Sequence, residues 1–288
     1  MNEKSIILKR YKKKHGRENQ FFITSYIGID LINEDTKKPE NLSTSWKPKN
    51  IDNSKNESKL YIKRASLVYS VSSFESYATD AIVQLFSHTL TLEPEVITVF
   101  QSEHKSVYKK IEVLVETYPE LKNKDYYLTI TGIFWRNNQI HNQKKKLEPS
   151  LKANLRKFTD SYYEKNSGLI IEDLISHFNT FEVPSFKEVL SIMAAVRNFA
   201  ETIDAFFMKK VDNDKYIEYN LMTLYDEGKI KNLDNGHFNW SLFFETHLAV
   251  KDSIFRQAKI CSELSKVKNY EELKEIINSI RHKYEKEK

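Results

Sequence analysis

The sequence predicts an all-α protein, and three features support that prediction. Apolar residues make up 40% and charged residues 30% of the 288 positions, a balance typical of a soluble protein with many surface helices. Six glycines and six prolines are too few for the dense turns of a β-sandwich. Apolar residues recur mainly at spacings of three, four and seven, which is the period of an amphipathic helix.

The first 58 residues are predicted to be an irregular basic segment. Positions 1–20 hold seven Lys or Arg residues against two Glu residues, and most charge clusters of this kind are solvated. Residues 20–32 are rich in aromatic and β-branched residues, which indicates a short strand or hairpin arm, with a helical turn as the alternative. Two prolines among many Asn, Ser and Lys residues predict a loop over 33–58.

Four amphipathic helices are predicted between residues 59 and 210. Each carries apolar residues at helical intervals, so each has one apolar face to bury. Packing these faces against one another in a four-helix bundle is the simplest solution. The predicted helices cover about 59–88, about 93–118, a stretch from Asp125 through the sequence quoted below, and Ser185 to about Lys210.

The remaining segments complete a predicted division into 1–58, 59–210 and 211–288, the last being a helical extension. Residues 147–183 are mixed, with one short amphipathic stretch, LIIEDLISHF. Cys261 is the only cysteine, which excludes an intramolecular disulfide, and its helical surroundings predict a buried core position. No apolar run is long enough for a signal-peptide core or a membrane span, so we expect a cytoplasmic protein without membrane contact.

Several enzyme classes lack their signature in this chain. The six glycines are scattered, so there is no Gly-rich phosphate loop, and no HExxH pair, cysteine cluster or GxSxG elbow occurs. We therefore expect no metal and no cofactor. Histidine is the remaining candidate for proton transfer near neutral pH. Of the eight histidines, six lie in amphipathic or loop sequence without a charged constellation around them and are interpreted as structural or surface residues.

The stretch FWRNNQIHNQKKK, residues 134–146, lies where the third apolar helix gives way to charge. An arginine can fix and neutralise a phosphate through its planar fork, and a histidine can exchange a proton at neutral pH. Arg136 and His141 together could thus cleave RNA without a metal. The alternative is an ordinary polar helix end, where Asn and His are common.

The sequence RNNQIH resembles the R-x4-6-H motif of HEPN-domain ribonucleases, including the polar residue after the arginine, here Asn137. The resemblance covers roughly residues 59–210. It implies a four-helix bundle that dimerises so that two motifs face one cleft. It also implies a metal-independent endoribonuclease, often a toxin or an anti-phage defence effector. A second match, Arg10 to His15, lies in the basic segment without an apolar helix and is interpreted as accidental.

The resemblance implies a role for each residue of the motif. His141 would be the general base or acid toward the ribose 2′-hydroxyl and the leaving oxygen, and Arg136 would stabilise the phosphorane charge. Asn137 would orient one of them. Glu75, beside the apolar stripe of the first helix, could brace Arg136. Further substrate contacts are predicted for Asn138, Asn142, Lys144, Lys145 and Lys146.

An ideal helix rotates by about 500° over five residues, which leaves Arg136 and His141 about 140° apart. They converge only if the helix is irregular or if a cleft between two subunits receives both, so we expect a homodimer. Besides RNA, an antitoxin or a defence-system protein is a possible partner. The rival hypothesis is a catalytically silent helical module that binds a protein or a nucleotide.

Overall fold

The computed structural model describes residues 4–141, 143–166, 168–228, 230, 240, 243, 259–267 and 269–286. Every regular element in these ranges is a helix, which confirms the all-α prediction. Asn142, His237 and His247 lie outside the described residues, as does the side chain of Cys261. The HEPN-like arrangement of four helices stays a prediction.

Twelve helices follow one another in the described part of the chain. Helix α2 continues into a π-helical stretch, Asp80–Phe86, and a last α-helical turn, Ser87–Thr89, and a short 3-10 turn, Pro119–Leu121, precedes α5. The helices are α1 Ile6–Asp30, α2 Ile51–Thr79, α3 Pro94–Gln101, α4 Val107–Thr117, α5 Lys124–His141, α6 Pro149–Arg156, α7 Thr159–Lys165, α8 Ile171–Asn179, α9 Phe186–Met208, α10 Asn213–Asp226, α11 Lys259–Leu264 and α12 Tyr270–Lys286.

The prediction of an irregular N-terminal segment is wrong, because α1 is 25 residues long. Its start is capped by the buried Ser5, whose hydroxyl accepts a hydrogen bond of 3.0 Å from the backbone N–H of Leu8. The strand predicted for 20–32 is wrong too. Phe22 is 2% exposed and its ring stacks on Phe186 at 4.9 Å, so packing of a helical face outweighs the β-propensity of this stretch.

Helix α2 begins at Ile51, eight residues earlier than predicted. Asn50 supplies the N-cap, since its side-chain Oδ1 accepts a hydrogen bond of 2.8 Å from the backbone N–H of Asn53. The polar residues of 51–58 mark the exposed first turns of this helix. The predicted loop is therefore confined to residues 31–50.

The chain forms two compact units, each discontinuous in sequence. The first unit comprises residues 11–76 and 118–200 and holds the whole FWRNNQIHNQKKK stretch. The second comprises the described residues within 1–10, 77–117 and 201–288. These units do not correspond one to one to the three predicted segments. None of the helices in the described residues combines the length and the apolar character needed to span a lipid bilayer.

The core of the first unit positions α5 between α2 and α9. Gly132 of α5 approaches Ile192 of α9 so closely that no side chain fits between them, and Leu67 of α2 lies beside the same point. Trp135 is 1% exposed and meets the ring of Phe178 edge-on at 5.4 Å. Tight packing on these sides fixes the direction in which the last turns of α5 leave the core.

Within the second unit, the π-helical stretch contacts the end of α9 through the rings of Phe86 and Phe207, whose centroids lie 5.0 Å apart. Asp204 is 1% exposed, and its carboxylate accepts a hydrogen bond of 2.9 Å from the backbone N–H of Ser5. The hydroxyl of Ser5 donates a second hydrogen bond to the same carboxylate. Lys283 of α12 bonds both carboxylate oxygens of Glu218 on α10 at 2.9 Å. The C-terminal residues that are described are thus helical and packed, in agreement with the predicted helical extension.

Candidate functional site

The motif residues Arg136 and His141 occupy the last two turns of α5. This helix remains α-helical through His141, with no π or 3-10 turn in the motif. Five residues of regular helix turn through about 500°, so the two side chains leave the axis about 140° apart. The local distortion that would bring them together within one chain is absent from α5.

Arg136 is half-buried between α5 and its neighbours. Its Nε atom is buried and has no hydrogen-bond partner among the described residues. Burial lowers the pKa of Arg136, and the half-buried carboxylate of Glu75 on α2 acts in the opposite direction. Glu75 therefore lies close enough to interact electrostatically with Arg136, as its predicted role requires.

His141 ends α5 and is exposed. The preceding residue, Ile140, is also exposed, at 47% of its surface, while Asn137 is half-buried one turn back. The imidazole is thus open to a ligand from solvent or to a second molecule. The guanidinium of Arg136, in contrast, is partly enclosed by the unit itself.

Asn138 holds the segment that follows α5 against the end of that helix. Its Nδ2 donates to the backbone carbonyl of Lys145 at 2.8 Å, and its Oδ1 accepts from the backbone N–H of the same residue at 3.2 Å. Lys144, Lys145 and Lys146 are all exposed. The amide of Asn138 is engaged by the protein itself, so it positions the lysines; direct contact of Asn138 with substrate stays a prediction.

Three further side chains, not identified from the sequence, anchor the end of α5. Arg64 of α2 donates through Nε to Oε1 of Gln139 at 2.9 Å. Trp135 Nε1 donates to the backbone carbonyl of Glu182 at 3.0 Å, and Gln139 Nε2 donates to the same carbonyl at 3.4 Å. These contacts join residues more than 40 positions apart in sequence, so no local pattern could have indicated them.

Two exposed tyrosines on α2 share a helix face with Glu75. Tyr61 is 72% exposed and Tyr69 is 64% exposed. On a regular helix these three residues fall within roughly 120° of one another. The side of α2 that carries the partner of Arg136 therefore also presents two flat aromatic rings to solvent, a surface on which a nucleic-acid base can stack.

The second match to the motif does not form a site. Arg10 donates through a terminal guanidinium nitrogen to Glu227 at 2.9 Å within the second unit. His15 is 3% exposed, and its Nε2 lies 3.0 Å from the backbone carbonyl of Met193 within the first unit. Because a carbonyl only accepts, Nε2 carries the proton. Each residue thus has a structural contact of its own, which agrees with the interpretation of this match as accidental.

Metal ligands and cavities are the other features that could form a site. No group of three or more His, Cys, Asp or Glu residues within the described ranges is arranged to hold a metal ion. A cavity of about 1020 Å³ lies in the second unit along the π-helical stretch, where Ser87, His88, Lys210 and Lys215 contribute to its wall. None of the residues predicted for the ribonuclease site lines it.

Comparison with known proteins gives no relative from which a function could be carried over. No family model matches the chain, and neither a curated protein nor a solved structure is similar to it. The resemblance to HEPN ribonucleases therefore rests on Arg136, Asn137 and His141 and on their position at the end of an apolar helix.

Proposed function

We propose that the chain is a metal-independent endoribonuclease of the HEPN type, acting as a toxin or an anti-phage defence effector. The observation that supports this most is the setting of Arg136. In the described part of the chain, Nε of the half-buried Arg136 has no hydrogen-bond partner, and Glu75 interacts electrostatically with the guanidinium. The same helix ends at the exposed His141 and is followed by exposed lysines. A buried N–H donor of this kind is suited to bind a phosphate oxygen, because little water competes for the hydrogen bond.

In the proposed reaction the ribose 2′-hydroxyl attacks the adjacent phosphorus atom and the 5′-oxygen leaves. His141 of one copy takes the proton from the 2′-hydroxyl or supplies one to the leaving 5′-oxygen, since an imidazole exchanges protons near neutral pH. Solvent water makes the other of these two proton transfers. The guanidinium of Arg136 stabilises the extra negative charge of the phosphorane. The products are a 2′,3′-cyclic phosphate and a free 5′-hydroxyl.

The site that we propose takes its groups from two copies of the chain. Within one copy, the regular geometry of α5 points Arg136 and His141 in different directions. A two-fold axis near the end of α5 would place the His141 of one copy opposite the Arg136 of the other. Most of α5 up to Trp135 is buried in its own unit, so only the last turns of the helix are free for this contact.

Substrate binding follows from the charges and rings around the helix end. Lys144, Lys145 and Lys146 would contact phosphates on either side of the cleaved bond, held in place by the bonds from Asn138. Phosphate contacts of this kind position RNA without reading its sequence. Tyr61 and Tyr69 would stack on unpaired bases, which favours single-stranded RNA over a duplex.

A cleavage assay on a radiolabelled single-stranded RNA tests this proposal. Wild type should produce fragments ending in a 2′,3′-cyclic phosphate, and His141→Ala should lose this activity while keeping its helical circular-dichroism spectrum. His104→Ala is the matched control, since His104 is also exposed but belongs to the second unit. Equal cleavage by wild type and His141→Ala would refute the assignment.

The rival hypothesis, a helical module without catalytic activity, has one observation in its favour. Tyr61, Tyr69 and Ile140 are large exposed side chains in the unit that carries the motif, and exposed aromatic groups are also typical of protein-binding surfaces. An antitoxin or a defence-system protein is the partner that we would expect there. Absence of RNA cleavage by the freshly purified chain, together with a stable complex lost in Tyr61→Ala, would favour this alternative.

A further inference from the structure

A second cavity, of about 480 Å³, lies entirely within the first unit between α1, the end of α7 and α9. Three of its lining side chains are cationic: Lys165, Lys187 and Arg197. No Asp or Glu residue among those that the structure describes lines it. Asp125 interacts electrostatically with Lys165 and Arg197 but does not line the cavity, so the charges on the wall itself are positive and complementary to a negative ligand.

Buried polar groups form part of the same wall. His15 is 3% exposed, Asn166 is 9% exposed and Ser191 is 4% exposed. The Nδ1 atom of His15 is buried and has no hydrogen-bond partner among the residues that the structure describes. Since Nε2 carries the proton, Nδ1 is an acceptor, and a carboxylate oxygen of Glu18 lies 3.7 Å from it. His15 therefore adds a polar but uncharged group to the wall, and the binding of an anion depends on the cationic side chains.

Apolar side chains also line this cavity. Ile23 and Leu190 contribute aliphatic surface, and Phe186 contributes an aromatic ring. That ring is held by Phe22 at 4.9 Å and by Tyr26 at 4.4 Å between ring centroids. A lining that combines apolar surface with a few charged groups is usual for a site that binds a small organic molecule, and the volume lies in the range of such sites.

Lys187 is positioned by the turn that follows α7. Its ammonium group donates to the backbone carbonyl of Gly168 at 3.2 Å, and Gly168 has a φ of 78°, a backbone conformation open to glycine. One ammonium proton is thus used by the protein, and two remain for a ligand. Arg197 is close enough to His15 to disfavour a positive charge on that imidazole. The positive field in the cavity therefore comes from the lysines and the arginine.

We propose that this cavity binds a small organic anion, a phosphate monoester or a carboxylate with an apolar body. Its anionic group would contact Lys187 and Arg197, and its apolar body would lie against Phe186. The proposal is independent of the ribonuclease site, because none of the residues assigned to RNA cleavage lines this cavity.

Isothermal titration calorimetry on the full chain tests the proposal with four probes. Phenyl phosphate and benzoate each join an anionic group to a ring, inorganic phosphate lacks the ring, and benzyl alcohol lacks the charge. We expect phenyl phosphate or benzoate to bind with a one-to-one ratio, and the tighter of the two identifies the anionic group of the ligand. Inorganic phosphate should bind at least tenfold more weakly, and benzyl alcohol should show no heat of binding.

Three variants locate the bound probe. Lys187→Gln/Arg197→Gln removes both charges and should weaken binding of phenyl phosphate or benzoate by at least roughly tenfold, because each charge-assisted hydrogen bond is substantial. Ala194→Leu leaves the charges unchanged but places a larger side chain in the cavity, and should also abolish binding. Lys122→Gln is the matched control, since Lys122 is exposed in the same unit and does not line the cavity.

Three results would overturn the proposal. The first is absence of binding of both phenyl phosphate and benzoate at millimolar concentration to folded wild type. The second is binding as strong as that of wild type in both Lys187→Gln/Arg197→Gln and Ala194→Leu, each checked for an intact circular-dichroism spectrum. The third is binding of a single-stranded RNA oligonucleotide that is lost in Lys187→Gln/Arg197→Gln, while neither small anion binds to wild type. This result would assign Lys187 and Arg197 to the RNA-binding surface.

Discussion

Gly132 of α5 faces Ile192 of α9 so closely that a Cβ atom at residue 132 would lie 2.4 Å from the Cγ2 atom of Ile192. Real Cβ atoms are not found at such a distance, and both atoms belong to the core of the first unit. The absence of a side chain at residue 132 therefore lets the helix that carries Arg136 cross α9 at close range. The position of the candidate site depends on this contact.

Gly132→Ala should destabilise the chain by about 1 to 3 kcal/mol, since the added methyl group forces the two helices apart. The free energy of unfolding in urea measures the effect. Gly28→Ala serves as the control, because a Cβ there meets no atom within 4 Å and alanine favours a helix. We expect this control to be neutral or slightly stabilising. A Gly132→Ala protein as stable as wild type would contradict the close crossing.

Local periodicity explains why most of the helices could be predicted. The buried residues of α2, α5 and α9 recur every three or four positions, and that pattern is visible within a single segment. Helix α1 was not recognised because its buried face includes His15, a polar residue whose partner is Met193. The caps Ser5 and Asn50 are local signals that could have located the starts of α1 and α2.

The stability of the chain should fall as the pH decreases from about 6.5 to about 4, in part because of His15. Burial lowers the pKa of His15 to about 4 from its ordinary value of 6.5. Between these values the unfolded chain binds a proton that the folded chain does not, so the contribution of His15 is present above pH 6.5 and is lost on acidification. The shift corresponds to at most about 3 kcal/mol.

Urea unfolding at several pH values between 4 and 7.5 measures this contribution in wild type and His15→Gln. The slope of stability against pH should be shallower in the variant. The groups around His15 are the ring of Tyr11, Arg197, and Glu18, whose carboxylate lies 3.7 Å from Nδ1. His104→Gln, at an exposed position, should leave the slope unchanged. Identical slopes in wild type and His15→Gln would show that His15 titrates normally.

Arg136→Lys should lower RNA cleavage by about a hundredfold or more while leaving the helical circular-dichroism signal intact. A guanidinium binds phosphate through two parallel donors, and an ammonium group cannot reproduce this geometry. Arg156→Lys is the control, because Arg156 is exposed and pairs with Glu172 away from the motif helix. Cleavage near the wild-type rate in Arg136→Lys would mean that Arg136 is only a polar residue at a helix end.

RNA cleavage should continue in the presence of EDTA. The proposed reaction uses an imidazole for proton transfer and a guanidinium for charge stabilisation, so it needs no divalent cation. Cleavage should be measured in wild type with excess chelator and again after addition of magnesium or manganese. Complete loss in chelator with recovery in either metal would contradict the mechanism.

The motif itself could be found in the sequence, but the environment of its residues could not. Arg136 and His141 are close in the chain, and their residue types indicate the chemistry. The environment of Arg136, whose Nε has no hydrogen-bond partner within the described ranges and whose guanidinium interacts with Glu75, depends on how separate segments fold together. This is also true of the bonds from Asn138 to Lys145. The same holds for the regular geometry of α5, which a pattern of residues does not determine.

The last prediction concerns the origin of the two catalytic groups. Because α5 is regular, we expect the Arg136 of one copy to act with the His141 of another. Arg136→Ala and His141→Ala should each be inactive alone. When the two variants are mixed after brief partial unfolding, activity should return. Each mixed dimer contains one pair formed by a native Arg136 and a native His141, where a wild-type dimer contains two such pairs. Random assembly places half of the molecules in mixed dimers, so recovery should reach about a quarter of wild-type activity.

Sedimentation velocity, run beside the cleavage assay, checks the same assignment. Wild type should sediment as a dimer at micromolar concentration. Ile140→Asp, which places a charge on an exposed apolar residue next to His141, should give folded monomers without activity. Ile27→Asp is the control, since Ile27 is also exposed but lies on α1. A fully active monomer, or mixtures of the two alanine variants that stay inactive although mixed dimers form, would place both catalytic groups in a single chain.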